Sequence, residues 1–135
     1  MTTRSIIRVN STNQAYDLGS PWQKKPPFTR RGIGVLIGEG RILTTADLIG
    51  NSNFIELEKA ATAERSTATV ERINYECNLA ILRSTNPSFL FGMIPLALED
   101  KISIGDSATV LQLEPNGEIA RTTVRISSIS IASYP

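Results

Sequence analysis

The chain has 135 residues, 41% hydrophobic and 20% charged, with a net charge of +1. That suits one ordinary core, is too apolar for a disordered chain, and gives no electrostatic footprint for nucleic acid or an anionic membrane. There is no histidine and a single cysteine, Cys77, which excludes imidazole chemistry within these residues, an internal disulfide and the usual Cys/His zinc site.

Residues 1–9 contain no apolar stretch of signal-peptide length, and no segment reaches the roughly 20 apolar residues of a membrane-spanning helix. Residues 5–9 are a β-branched run and predict a strand. Residues 10–31 are rich in Pro, Gly, Asn and Ser and read as a long connection. Within it, Trp22 is expected to pin the connection onto the body of the protein. The basic cluster Lys24, Lys25, Arg30 and Arg31 reads as solvated loop, because it lies among prolines.

Residues 32–37 and 41–45 flank Gly38-Glu39-Gly40, the pattern of a hairpin. Residues 46–50 suit one helical turn ended by Gly50, and Asn51-Ser52-Asn53 a turn. Residues 54–58 and 67–73 alternate like half-buried strands. Cys77 precedes an apolar run and is expected to be a small buried hydrophobe. Residues 79–82 read as a strand buried on both faces, 85–88 as a loop and 95–98 as a short strand. Residues 108–113 and 122–131 read as strands joined by Glu114-Pro115-Asn116-Gly117, in which Asn-Gly favours a turn. Short strands with turns between them and no long helical period predict an all-β closed barrel or sandwich.

In this order the segments resemble the HtrA/Deg branch of the trypsin-like serine proteases. Gly32-Ile33-Gly34-Val35-Leu36-Ile37 is similar to that family's Gly-Ser-Gly-Phe-Ile-Ile strand. Arg41-Ile42-Leu43-Thr44-Thr45-Ala46-Asp47-Leu48-Ile49 resembles its "ILTNxHVV" segment. Glu76-Cys77-Asn78-Leu79-Ala80-Ile81-Leu82 resembles "xCDLALL". Pro95-Leu96-Ala97-Leu98 with Ile104-Gly105-Asp106-Ser107-Ala108-Thr109-Val110 resembles "PLxLGD…xxGDxVxxxG". Pro21-Trp22-Gln23-Lys24-Lys25 is similar to a loop of Deg-type members, plant ones included.

The resemblance implies a trypsin-like six-stranded antiparallel β-barrel over residues 1–104, and the opening β-hairpin of a second barrel over 105–135. Ending shortly after a strand, at Ser133-Tyr134-Pro135, reads as a cut within a larger protein. The family's general-base histidine falls on Asp47 and its orienting aspartate on Asn78, so both read as vestigial triad positions. Aspartate, with an ordinary pKa near 4, is a poor base for a serine hydroxyl at neutral pH. Asparagine cannot stabilise an imidazolium. The Gly-Asn-Ser-Gly-Gly nucleophile motif is absent. Leu113-Glu114-Pro115 keeps the proline of the family's Gly-x-Pro and loses its glycine.

The expected function is therefore a pseudoprotease: not an enzyme, without cofactor or metal, and binding a protein or extended peptide by strand addition. The alternatives are a structural or assembly domain of a larger protein, with a homo-oligomer as one form of assembly, and the N-terminal half of a serine endopeptidase-like protein with residual or unusual activity. An acid/base pair of Asp47 with Glu76, Asp100 or Asp106 has no support from spacing. The family suggests a periplasmic or other extracytoplasmic compartment.

Overall fold

The computed structural model describes residues 5–13, 16–17, 20–24, 28–50, 52, 54–60, 62–99 and 101–129. It divides into two compact units, Met1–Leu96 and Ala97–Pro135. The first is a closed antiparallel barrel of six strands in the order β1-β4-β5-β8-β7-β6. Its strands are β1 (Ile6–Asn13), β4 (Phe28–Gly38), β5 (Arg41–Thr44), β6 (Phe54–Lys59), β7 (Arg65–Asn74) and β8 (Leu79–Ser84). A small hairpin, β2 (Tyr16–Asp17) with β3 (Ser20–Lys24), is inserted between β1 and β4. The all-β architecture and the six-stranded barrel are those expected from the sequence.

Period-two alternation decides which side chains fill the barrel. Ile7, Val9 and Ser11 of β1 point inward, as do Ile42 of β5, Ile55 and Leu57 of β6, and Ala80 and Leu82 of β8; all are buried. β1 closes the barrel by pairing on both sides, with Ile7 opposite Gly34 of β4 and Lys59 of β6. Gly34 is required by close approach. A Cβ there would stand 2.9 Å from Ile42 Cγ2 and 3.2 Å from both Leu43 O and Val9 Cγ2. A 3₁₀ turn, Pro87–Leu90, sets Phe89 into the barrel, 3% exposed. Lys59 follows Ile55 and Leu57 in the inward phase, so its aliphatic stem is buried. Its ammonium ends 3.3 Å from Glu64 Oε2 and 3.2 Å from the Phe91 carbonyl, with its charge 5.2 Å from the Phe89 ring centre.

Several segments differ from expectation. The connection over residues 10–31 is shorter: β1 runs to Asn13 and β4 begins at Phe28, because their backbones pair with each other to that point and β1 also pairs with β6. Ladder bonds carry polar Asn10 and Thr12 as strand residues on the outer face. Arg30 and Arg31 accordingly lie in a strand, not a loop. The packing expected of Trp22 concerns a side chain outside those described. The β4–β5 turn is the two residues Glu39 and Gly40, at φ 53° and 73°, the backbone sense that tight hairpins of right-twisted strands demand. Leu79 is 43% exposed, so β8 is half-buried rather than covered on both faces. Residues 85–88 enter the 3₁₀ turn, capped by Asn86 Oδ1, which accepts the Ser88 N–H at 3.2 Å. Residues 95–98 form no strand; Leu96 N–H donates one bond to Leu36 O at 2.8 Å.

In the second unit, β9 (Ser107–Leu113) pairs with β10 (Ile119–Arg125). The Pro115-Asn116-Gly117 turn lies where expected, with Gly117 at φ 88°. β10 starts and stops earlier than the run 122–131, because it pairs only as far as its partner extends: Arg125 stands opposite Ser107. Residues 130–131 lie outside those described.

Glu71 is the extra residue of a bulge between Val70 and Arg72. Its carboxylate accepts from Arg83 and, at 3.0 Å, from Arg41 Nε, tying β7 to β8 and β5. The Arg83 hydrogen bond above all, then the charge of Arg41, hold its carboxyl below the ordinary glutamate value of 4.5.

Two outcomes follow from this packing. Gly34→Val should lower the unfolding free energy by about 1–3 kcal/mol through overpacking, read as a reduced urea midpoint at unchanged slope. Glu71 has a folded-state pKa below its unfolded one, so its contribution is complete above the unfolded value and disappears as pH falls through the folded one. The gap in urea midpoint between the parent and Glu71→Gln should therefore be open at pH 7 and shrink as the pH falls below the ordinary glutamate range.

Candidate functional site

The two positions singled out in the sequence, Asp47 and Asn78, are 31 residues apart yet adjacent in space. Strand register brings them together. β5 and β8 are antiparallel with Thr44 opposite Ala80, and continuing two residues places Ala46 opposite Asn78. There the ladder ends in a bond from Ala46 N–H to Asn78 O at 3.2 Å. The chain then turns into α1 (Ala46–Ile49), a single helical turn closed by Gly50 N–H on Ala46 O at 2.9 Å.

So short a helix cannot hold itself and needs partners for its first N–H groups. Thr45, the N-cap residue, makes no side-chain cap bond. Asn78 does it from the end of the neighbouring strand, its Oδ1 accepting the Asp47 N–H at 2.9 Å. Asn78 has φ 57°, a left-handed conformation that asparagine tolerates better than most residues. This directs both its carbonyl and its amide oxygen at α1. The loop before it is shaped by Asn74, whose Oδ1 accepts the N–H groups of Glu76 at 2.9 Å and Cys77 at 3.3 Å. That turn lifts Cys77 off the barrel, so it is exposed rather than buried; the apolar run begins one turn later.

The other end of α1 is held by Arg30. Its guanidinium donates to the Asp47 carbonyl at 2.7 Å and to the Gly50 carbonyl at 3.5 Å. Ser11 donates to the Leu48 carbonyl from inside the barrel. Leu48 packs its methyls over Gly32, where a Cβ would lie 2.7 Å from Leu48 Cδ2. Asp47 itself is exposed. An open cavity of about 420 Å³ adjoins it, lined by Arg30, Arg31, Ile33, Thr45, Asp47 and Leu48. Arg30 was missed as a site residue; the signal available was its phase, two and four residues before the inward Gly32 and Gly34.

Asp106 Oδ2 accepts the Ser103 N–H at 2.9 Å within the second unit, and Asp100 lies outside the described residues. Among the described residues no group of three or more His, Cys, Asp or Glu side chains is placed to hold a metal ion. No helix among them is long and apolar enough to cross a membrane.

No protein-family model matches the chain. It is 29% identical over 96% of its length to the chloroplastic protease Do-like 2 of Arabidopsis thaliana, and 30% identical over 96% to the putative protease Do-like 13 of the same plant. It spans 22% and 27% of those relatives. Among solved structures, the HtrA-type protease AlgW with a decapeptide matches at TM-score 0.72 and 16% identity, over 94% of this chain and 43% of that one. The active form of a protease from M. tuberculosis matches at TM-score 0.72 and 21% identity, over 94% and 49%. These relatives are named proteases, which overturns the expectation that the protein is not an enzyme. That expectation rested on the missing histidine and on the residues at positions 47 and 78, within a chain that spans about a quarter of those relatives.

The capping geometry sets an expected ranking. Asn78→Ala loses the acceptor and strains the left-handed backbone, and should destabilise by about 2 kcal/mol. Asn78→Gly relieves the strain and should cost about 1 kcal/mol. Equal losses by thermal or urea denaturation would remove the backbone contribution from this account.

Proposed function

Since the chain belongs with the Do-like, HtrA-type proteases and carries the first barrel of their trypsin-like fold, we propose that it supplies one wall of a protease-type site for extended peptide or protein segments. Convergence of Asp47, Asn78 and the open cavity on one edge of the barrel carries this reading. In this reading residues 1–104 belong to the first barrel and 105–135 open a second one. By the resemblance, Asp47 and Asn78 fall on the family's general-base and orienting-acid positions.

These residues have definite tasks in such a wall. Asn78 and Arg30 clamp α1 from both ends, so the exposed face around Asp47 is preorganised. Next to it, β4 offers backbone for pairing: β1 covers one edge over Phe28–Val35, while β5 covers the other only over Val35–Gly38. Thr44 Oγ1 donates to the Ile33 carbonyl at 3.0 Å, and the edge before it has no strand neighbour among the described residues. An extended peptide can add there by main-chain bonds. The solved neighbour holding a decapeptide supports an elongated ligand. Serine-type hydrolysis would draw its proton acceptor from outside these 135 residues, which contain no imidazole.

The test uses the intact polypeptide with end-blocked extended peptides and with casein. Saturable peptide binding is expected, weakened about tenfold by Thr45→Trp, a bulky side chain on the cavity wall at a position with no cap bond to lose. Absence of saturation up to roughly 1 mM peptide would sink the reading. Casein cleavage that survives repurification would show hydrolysis directly.

A further inference from the structure

Resting on that peptide-site reading, we infer that Arg31 makes the site selective for extended peptides carrying acidic side chains. The basic cluster noted in the sequence has no part in the fold that accounts for all of it. Arg30 is committed: it caps α1, though it keeps its charge. Arg31 is different. It is exposed, and it makes no hydrogen bond or ion pair with the described residues.

Its position follows from the pleat. Arg31 is in phase with Ile33 and Val35 on the outer face, opposite Asn10 of β1, whereas Arg30 is in phase with the inward Gly32. Arg31 lines the 420 Å³ cavity beside Asp47. It also lines a second, smaller one of about 250 Å³ with Asn10, Thr12, Phe54, Glu56 and Arg65. It therefore stands on the ridge between them, on the stretch of β4 whose free edge would take the peptide backbone. A side chain of a peptide added there has Arg31 within reach on the outer face.

Charge accounting favours an anion. The first cavity has two cations, Arg30 and Arg31, against one carboxylate, Asp47. In the second, Glu56 is already paired with Arg65 at 3.6 Å, and Arg65 also holds Glu58 at 3.0 Å. The surplus charge in both is Arg31. A planar guanidinium offers a carboxylate two parallel bonds, and a partly enclosed cavity screens the pair less than open water does. Asp47, on the same wall, disfavours a second carboxylate placed over α1, so one acidic residue near Arg31 is preferred to a run of them.

The experiment measures fluorescence anisotropy of labelled, end-blocked Ser/Val peptides that differ only in one central residue, Glu, Gln or Lys, with the intact polypeptide. The Glu peptide should bind about fivefold more tightly than the Gln peptide, an advantage that shrinks with added salt. Arg31→Gln should abolish the difference, and Arg31→Glu should turn it in favour of the Lys peptide. Circular dichroism melts of both variants should match the parent, because the Arg31 side chain is bonded to none of the described residues. Binding of all three peptides with equal affinity overturns this inference and leaves the peptide site standing. A Glu preference that persists in Arg31→Gln also overturns it. An unblocked Gln peptide that competes as well as the Glu peptide would assign the preference to a chain-end carboxylate and overturn the side-chain assignment. Absence of saturable binding by any peptide overturns the underlying reading and this inference with it.

Discussion

Double pairing of β1 is the constraint on which the barrel depends. Without it, β4-β5-β8-β7-β6 would be an open sheet with two long unpaired edges, and Ile7 and Val9 would be missing from its centre. Closing the sheet forces the neighbouring backbones together. Gly34 is the consequence: opposite Ile7, it faces Val9 and Ile42 at distances that leave no room for a Cβ. Closure also explains Lys59, an inward position at the barrel's end that only a long cationic side chain with an oxygen-rich exit can occupy.

The site inherits its geometry from that closed sheet. α1 is one turn long and has neither a side-chain cap of its own nor the length to be stable alone. It exists because β5 delivers it to Asn78 in a fixed register, and because Arg30 and Ser11 reach its carbonyls from the neighbouring strands. Position 78 thus has a mechanical role in addition to any chemical one. An asparagine there presents two oxygens to the backbone of α1 while adopting a left-handed conformation. The same economy places Arg31 outside and Arg30 inside from adjacent positions in one strand.

Charges across the barrel surface are arranged differently in different places. The Glu71, Arg41, Arg83 and Glu39 group stitches three strands and a turn, and Glu58 is shared by Arg8 and Arg65. Both clusters stabilise strand pairing. Beside α1 the pattern changes to a cationic excess next to an open cavity and a free strand edge. The Arg31 side chain, there, is bonded to none of the described residues.

The sequence by itself determined the fold class, the order of the strands and the two positions worth examining. Alternation in residues 54–58, the Gly-rich link between β4 and β5 and the Asn-Gly turn are local signals, set by side-chain period and backbone dihedrals. It also placed Asp47 on a helical turn and Asn78 at the start of a strand. What it could not supply depends on partners distant in the chain. The polar ends of β1 and β4 read as loop because only their mutual pairing makes them strands. Cys77 read as core because the lift of its turn comes from Asn74. Leu79 read as buried because its outer face shows only in the assembled sheet. That Asn78 caps α1, and that two adjacent arginines part company across the barrel wall, was decided by the register of β5 with β8 and of β4 with β1, since hydrogen bonding between strands is a property of pairs of segments and not of either one alone.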